Sequence, residues 1–318
     1  MAGTHAQLQR IRQALLEWYE RNRRDLPWRR TRDPYRVLVS EIMLQQTQVD
    51  RVLPKYHAFL ERFPSLADLA AAAPGDVIRA WAGLGYNRRA LNLQRVAQAV
   101  LDEHKGRFPD TPEELQRLPG IGPYTAGAVA CFAFERDVAF MDTNIRRVIQ
   151  RVFAGPEGLT PTPPERQLLA YAEAAVPASN GYTWNQAIME LGALICTSAR
   201  PRCAVCPLRG ECRAYAAWKQ ADETIFAPGP APRATRAVAE SRTPYVASNR
   251  YFRGRLVALL RDLPPGDSAL LADLGPRLKE NWTGDDMPWL IEVAQGLAQD
   301  GLIVLETDPG TPARARLP

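Results

Sequence analysis

LPGIGPYTAGAVACFAFERDVAFMDTNIRRV, running from Leu118 to Val148, decides how the rest of the chain is read. It holds two physical devices. The first is Leu118-Pro119-Gly120-Ile121-Gly122, set between two helical segments. Glu113 to Arg117 closes the first helix, and Pro123 suits the first position of the second. Gly120 and Gly122 allow a tight turn with positive φ and let another backbone approach. Such a turn presents free N–H groups at a helix N-terminus, which is a ready anion site. The second device is Asp142. It follows the apolar Ala139-Phe140-Met141 and precedes a basic helix, Asn144 to Arg151. A carboxylate there caps the helix, and the helix dipole favours its ionised form. An anion anchor and a fixed carboxylate joined by one apolar helix imply binding to a DNA backbone beside a reactive centre. Alone, either device also reads as an ordinary turn or cap.

The chain has 318 residues and is 46% hydrophobic, enough for two or three domains with sizeable cores. Its 40 Lys and Arg against 35 Asp and Glu leave +5, a balance compatible with nucleic acid without demanding it. Arginine clusters at 21–24, 29–30, 88–89 and 146–147 suit either DNA or solvated helix faces. The first ten residues are polar, with no apolar signal core. No apolar run is long enough to span a membrane, so a cytoplasmic protein is expected.

Residues 6–24 read as a helix with Leu8, Ile11, Leu15 and Trp18 or Tyr19 on one face. Trp28, beside Arg29, suits stacking on a base or a place in the core. Asp33-Pro34 opens a helix that reads YRVLVSEIMLQQTQVDRVL. Glu41 lies in it among Leu38, Ile42, Met43 and Leu44. Desolvation in so apolar a setting raises a carboxyl's pKa, which suits a general acid. A solvent-facing or arginine-paired Glu41 is the alternative. Gln45 to Gln48 would enter the gap left by a displaced base, or form a polar exposed face. Residues 66–101 read as short helices, with a turn at Gly83-Leu84-Gly85-Tyr86. Leu84 and Tyr86 suit a wedge between bases or a hydrophobic staple beneath the turn. A further helix is expected over 163–176, and Tyr182 to Ile195 then runs straight into the cysteines.

Four of the five cysteines, Cys196, Cys203, Cys206 and Cys212, follow C-x6-C-x2-C-x5-C. In a cytoplasmic chain that argues for metal rather than disulfides. Zinc and a four-iron, four-sulfur cluster both remain open on spacing. Arg200, Arg202 and Arg209 in that loop suit phosphate contact. Cys131, in AVACFAF, reads as inert core.

Over residues 1–218 these motifs resemble the helix-hairpin-helix DNA glycosylase superfamily, which includes endonuclease III. Within it, SEIMLQQTQV, GLGYNRRA, MDTNIRRV and WNQAIMELGALIC resemble the MutY-type adenine glycosylase family. The resemblance implies a mostly α, two-lobed fold. A six-helix lobe would span 25–137, and a cluster lobe would combine 1–24 with 138–218. A cleft would hold Glu41 and Asp142. It implies a 4Fe-4S cluster on the four cysteines, since Cys206-Pro207 matches that family's loop. Glu41 would protonate the adenine and later activate water, and Asp142 would stabilise the sugar cation. Tyr124 and Asn144 would orient the carboxylates. Trp28, Arg29 and Gln186 would read the flipped base. Gln46, Thr47, Leu84 and Tyr86 would meet the opened duplex, and Gly120 and Gly122 its backbone. Tyr124 stands where endonuclease III has a lysine nucleophile, which implies a monofunctional enzyme. A monomer acting on nucleoid DNA is expected. Two rivals are a mismatch glycosylase removing thymine or uracil opposite guanine, and a non-catalytic cluster-bearing redox sensor.

The last third departs from that family's usual Nudix-like domain. Residues 219–244, rich in Pro, Ala and Arg, read as a linker. Helices near 249–262, 268–279 and 287–299, a strand at Gly301 to Glu306 and a turn at Asp308-Pro309-Gly310 suggest a small winged-helix-like module over 245–318. Arg250, Arg253 and Arg255 form its more basic face.

Overall fold

The computed structural model describes residues 5–158, 163–221, 246, 248–307 and 310–318. Most of the expected linker, and Asp308-Pro309 of the expected turn, lie outside the described residues. None of the helices in the described residues is long and apolar enough to cross a membrane.

The helices in chain order are α1 (His5–Asn22), α2 (Pro34–Leu44), α3 (Val49–Arg62), α4 (Leu66–Ala71), α5 (Pro74–Ala80), α6 (Arg88–His104), α7 (Pro112–Leu115), α8 (Pro123–Phe134), α9 (Thr143–Ile149), α10 (Glu165–Ala175), α11 (Gly181–Leu194) and α12 (Arg213–Ala221). Three differ from the sequence reading. The helix through LQQTQVDRVL is two helices, because Gln46 takes φ +55° and ends α2 at Leu44. Residues 66–101 hold two short helices and then the long α6, which begins at Arg88 just past two glycines of positive φ, Gly83 and Gly85. The helix after Asp142 ends at Ile149 and widens into a π-turn, Gln150–Ala154.

The chain divides into two compact units. The first comprises the described residues of Met1–Val37, Asp110–Gln116 and Ile121–Val238. Its core helix is α8, with Thr125 through Ala133 all buried. A helix that is apolar all round must be covered all round. Gly127 allows this, since a Cβ there would stand 2.6 Å from the Cβ of Phe140. Helices α1, α8 and α9 all pack on α11. From α1, Ile11, Leu15, Trp18 and Tyr19 are buried. The aliphatic pair, Ile11 and Leu15, each contribute roughly 1.5–3 kcal/mol by leaving water.

The second unit comprises the described residues of Leu38–Pro109, Arg117–Gly120 and Ala239–Pro318. Phe59 packs edge-on against Phe63 and Trp81, with ring centroids 5.0 and 5.7 Å away. Gln94, buried between α6 and α4, donates to the carbonyls of Leu69 and Ala72 at 3.2 and 2.7 Å, so its polar group is not stranded.

The C-terminal part of this unit has the winged-helix order: α13 (Asn249–Arg261), β1 (Ala269–Leu270), α14 (Leu271–Leu278), α15 (Met287–Gln299), β2 (Val304–Glu306) and β3 (Arg314–Arg316). The antiparallel sheet runs β1-β3-β2, with Ala315 opposite both Ala269 and Leu305. β1 and β3 escape a sequence reading because they are only two and three residues long, with a single small apolar residue, Ala315, in β3. Ile78 of α5 and Leu91 of α6 join the core of this module, with Leu256, Leu260, Leu297 and Leu317.

Candidate active site

Asp142 sits at the N-cap of α9 as its sequence position implies. Its Oδ1 accepts from the backbone N–H of Ile145 at 2.7 Å, and its Oδ2 accepts from the Nδ2 of Asn144 at 3.0 Å. The Oδ1 of Asn144 in turn accepts from Arg147 at 2.9 Å. Arg147 also donates to the carbonyls of Gly192 and Cys196, both at 2.7 Å. The basic pair on this helix is therefore spent internally: Arg146 pairs with Glu165 and Arg147 positions Asn144. Gly192 makes room for this chain, because a Cβ there would stand 2.9 Å from the Cβ of Asn144.

Trp28 and Arg29 lie in a single 3-10 turn, Pro27–Arg29, and Trp28 is buried. Arg29 donates from Nε to the Oε1 of Gln186 at 2.8 Å and from Nη2 to Glu190 at 2.8 Å. Arg24 grips the same carboxylate through Nε and Nη2, each at 2.8 Å. Glu190 is 0% exposed. Burial raises its pKa, but the hydrogen bonds from Arg24 and Arg29 outweigh that and hold it below the usual carboxylate range. Glu190 and Gly192 were not singled out from sequence, and Arg24 was named only within the arginine cluster at 21–24. A signal existed for Glu190: it lies four residues after Gln186, on the same face of α11.

In the second unit Glu41 is 4% exposed, beside the buried Ser40 and Ile42. Beyond it, Gln46 is exposed and in the left-handed region. Arg89 fixes this corner. Its Nη1 donates to the carbonyls of Ile42, Met43 and Gln45, closing the orphaned C-terminus of α2. Its Nη2 donates to the Oγ1 of Thr47 and the carbonyls of Leu84 and Gly85. Burial brings its pKa down to about 10, so it stays charged at neutral pH. Leu84 is buried under the turn, while Tyr86 projects, 42% exposed and at φ +46°. Of the two candidate wedges, Tyr86 is the one presented outward.

At the hairpin, Gly120 has φ +74°, and a Cβ there would meet the Asn92 amide at 2.8 Å. Gly122 is the N-cap of α8, exposed and with open space around it. The ring of Tyr124, in the first turn of α8, packs edge-on to Phe140 with centroids 5.6 Å apart.

Cys196, Cys203, Cys206 and Cys212 line one cavity with Arg151 and Trp218. Burial, and then the charge of the other thiols, pushes Cys206 up to about 12 and Cys212 up to about 11. Four sulfur donors lining one cavity are the ligand type that a metal centre uses once their protons are displaced. Among the described residues no three His, Cys, Asp or Glu side chains are grouped so as to hold a single metal ion. The π-turn aims Arg151 into this loop, where it donates to the carbonyls of Thr197 and Ser198 at 2.8 and 3.1 Å. Cys131 is fully buried in α8.

Residues 39–173 match the family described as HhH-GPD superfamily base excision DNA repair protein. The chain is 43% identical over 249 residues to an adenine DNA glycosylase of Mycolicibacterium smegmatis, covering 78% of this chain and 79% of that one. It is 44% identical over 218 residues to an adenine DNA glycosylase of Homo sapiens, covering 66% of this chain and 40% of that one. A solved thermostable thymine-DNA glycosylase is similar at 32% identity and TM-score 0.62, over 67% of this chain and 99% of that one. A non-covalent endonuclease III–DNA complex shares the fold at 22% identity and TM-score 0.56, over 67% and 98%. On these similarities, with the hairpin, the capped Asp142 and the buried Glu41 in place, the chain belongs to the adenine DNA glycosylase family of the HhH-GPD superfamily.

Proposed function

We propose that this protein is a monofunctional DNA glycosylase of base excision repair, hydrolysing adenine mispaired with 8-oxoguanine or guanine. The observation that carries it is the 43% identity over 249 residues to a relative of that name. The residue chemistry supports it. Glycosidic cleavage needs an acid for the leaving base and an ionised partner for the sugar. Glu41 donates its proton to N7 of the flipped adenine. The C1′–N9 bond breaks, and its electron pair leaves with the base. Asp142, held by Asn144 and the N–H of Ile145, faces the cationic sugar. Glu41, now a carboxylate, takes a proton from water as its oxygen bonds to C1′. Tyr124 holds the hairpin position without an amine nucleophile, which leaves no Schiff-base route to strand cleavage. Gln186, with Trp28 and Arg29, reads the base. Gln46, Thr47 and Tyr86 fill the space it vacates, with Leu84 as their support. Gly120 and Gly122 take a backbone phosphate.

The four cysteines hold a 4Fe-4S cluster in this reading. Cys196, Cys203, Cys206 and Cys212 would hold the cluster, which would supply four metal–sulfur crosslinks across their loop. The protein acts as a monomer on double-stranded DNA, in the cytoplasm and at the nucleoid.

Single-turnover base release, with alkali cleavage of the abasic product, tests the proposal. Duplexes pair A with 8-oxoguanine, G or C, and T or U with G. Release of adenine opposite 8-oxoguanine and G is expected. Release of only T or U would move the protein to mismatch repair, and binding without any release would leave a non-catalytic DNA-binding protein.

A further inference from the structure

The second unit carries a groove of about 860 Å³ between α13 of the C-terminal module and the segment from Gly83 to Asn92. Arg51, Arg88, Arg89, Arg250, Arg253 and Arg261 line it, against a single carboxylate, Asp300. The whole chain has a formal charge of only +5, so this one groove holds as much excess positive charge as the entire protein. Such focusing in a concave surface draws anions.

The groove is built by docking of the module. Beyond the shared core with Ile78 and Leu91, the N–H of Gly75 donates to the Pro318 carbonyl at 2.7 Å. Arg79 donates to the Leu263 carbonyl at 3.1 Å, and Arg261 donates to the Oδ1 of Asn87 at 2.7 Å. Arg261 is half-buried, and its Nε has no hydrogen-bond partner. Not every guanidinium is available to a ligand. Arg89 is committed to backbone carbonyls, and Arg51 donates to the Gly83 carbonyl. Arg88 and Arg253 share the one carboxylate of Asp300, which leaves net charge over. Arg88 is 63% exposed, and Arg250 is exposed as well. The Arg250 guanidinium lies 4.2 Å from the centroid of the Tyr86 ring, whose φ of +46° already fixes its backbone.

We propose that the winged-helix-like module is a working part of the DNA-binding surface. Its groove takes the phosphodiester backbone of the duplex beside Gln46 and Tyr86, with Arg88 and Arg250 as phosphate contacts. Arg250 also holds the Tyr86 ring in place. This rests on the glycosylase reading above, which puts Gln46 and Tyr86 in the opened duplex. An anionic polymer running past those two residues enters this groove next.

The full-length protein tests it through the salt dependence of duplex binding, measured by anisotropy on a fully paired duplex. Each lost phosphate contact lowers the slope of log K against log salt by about 0.9. Arg88→Ala with Arg250→Ala is therefore expected to lower it by about 1.8. Asp300→Asn, which frees two arginines, is expected to tighten binding and steepen the slope. Arg255→Ala is the control, since Arg255 lies on the same helix but outside the groove, donating to the Arg277 carbonyl. Its slope is expected to match the unmodified protein. An unchanged slope in the double variant, or an equal fall in Arg255→Ala, would overturn the proposal. Adenine release by the unmodified protein is read separately. Release with an unresponsive slope removes the groove alone; a responsive slope without release removes the glycosylase reading alone.

Discussion

Arg29 donates from its Nε to the Oε1 of Gln186 at 2.8 Å, and this bond decides which way the glutamine amide faces. A guanidinium has donors only, so the carbonyl oxygen must meet it and the Nε2 group is turned elsewhere. Arg29 is in turn fixed by Glu190, which Arg24 also holds. A buried carboxylate thus sets the orientation of the Gln186 amide, the group proposed to read the base, through Arg29.

Replacing Arg29 by Lys keeps the charge and loses the fork that spans Gln186 and Glu190. Base release at saturating duplex is expected to slow by roughly tenfold or more, the worth of a charge-assisted hydrogen bond. Duplex affinity should hold. Single-turnover kinetics beside a binding titration separate the two.

Glu190→Gln leaves two guanidiniums around a neutral amide, and breaking a buried pair costs about 3 kcal/mol. The carboxylate's pKa is held low in the folded protein. Its stabilisation is therefore fully present above the unfolded value of about 4.3 and lost as pH falls through the lower folded value. Thermal melts of both proteins should differ most at neutral pH and converge under acid. A gap that does not change with pH would contradict the ion-pair account.

Glu41→Gln and Asp142→Asn should each abolish base release while duplex binding remains. Near-normal turnover in either variant, read by alkali cleavage of the abasic product, would remove that residue from the mechanism.

Gly192→Ala drives a methyl to within 2.9 Å of the Asn144 Cβ. Such overpacking costs about 1–3 kcal/mol. The displaced Asn144 should also loosen Asp142, so base release is expected to fall further than melting temperature alone would account for at an assay temperature well below the transition. The companion variant Asn144→Ala should reproduce the rate loss if displacement of Asn144 is its cause.

Cys212→Ser should remove the visible absorbance of an iron–sulfur centre and lower thermal stability, because three thiolates no longer complete the set. Iron and acid-labile sulfide assays on the purified unmodified protein provide the reference. A colourless protein holding zinc would replace the cluster assignment.

The local geometry around several candidate residues was legible because its signals are local. The N-cap at Asp142, the Gly120 turn followed by Pro123 and the apolar neighbours of Glu41 each lie within a few residues of chain, and each reappears in the structure. The three helices of the terminal module were visible for the same reason, as periodic apolar faces. Even the local reading had limits. Nothing in LQQTQV announces that Gln46 turns left-handed and splits a helix in two.

Only the tertiary structure decided who meets whom. Arg24 reaches Glu190 across 166 residues of chain, and Arg261 reaches Asn87 across 174. No period or cap encodes such pairings, because a buried charge takes whichever partner the packing of distant helices delivers. By itself the sequence located the hairpin turn, the N-cap at Asp142 and the apolar surroundings of Glu41. Packing assigned the arginines: Arg147 to Asn144, Arg89 to the ends of α2 and the Gly83–Tyr86 turn, and Arg250 to the Tyr86 ring. It also seated the terminal module on Ile78 and Leu91, since apolar surface exposed by one element is buried wherever the chain brings a matching face.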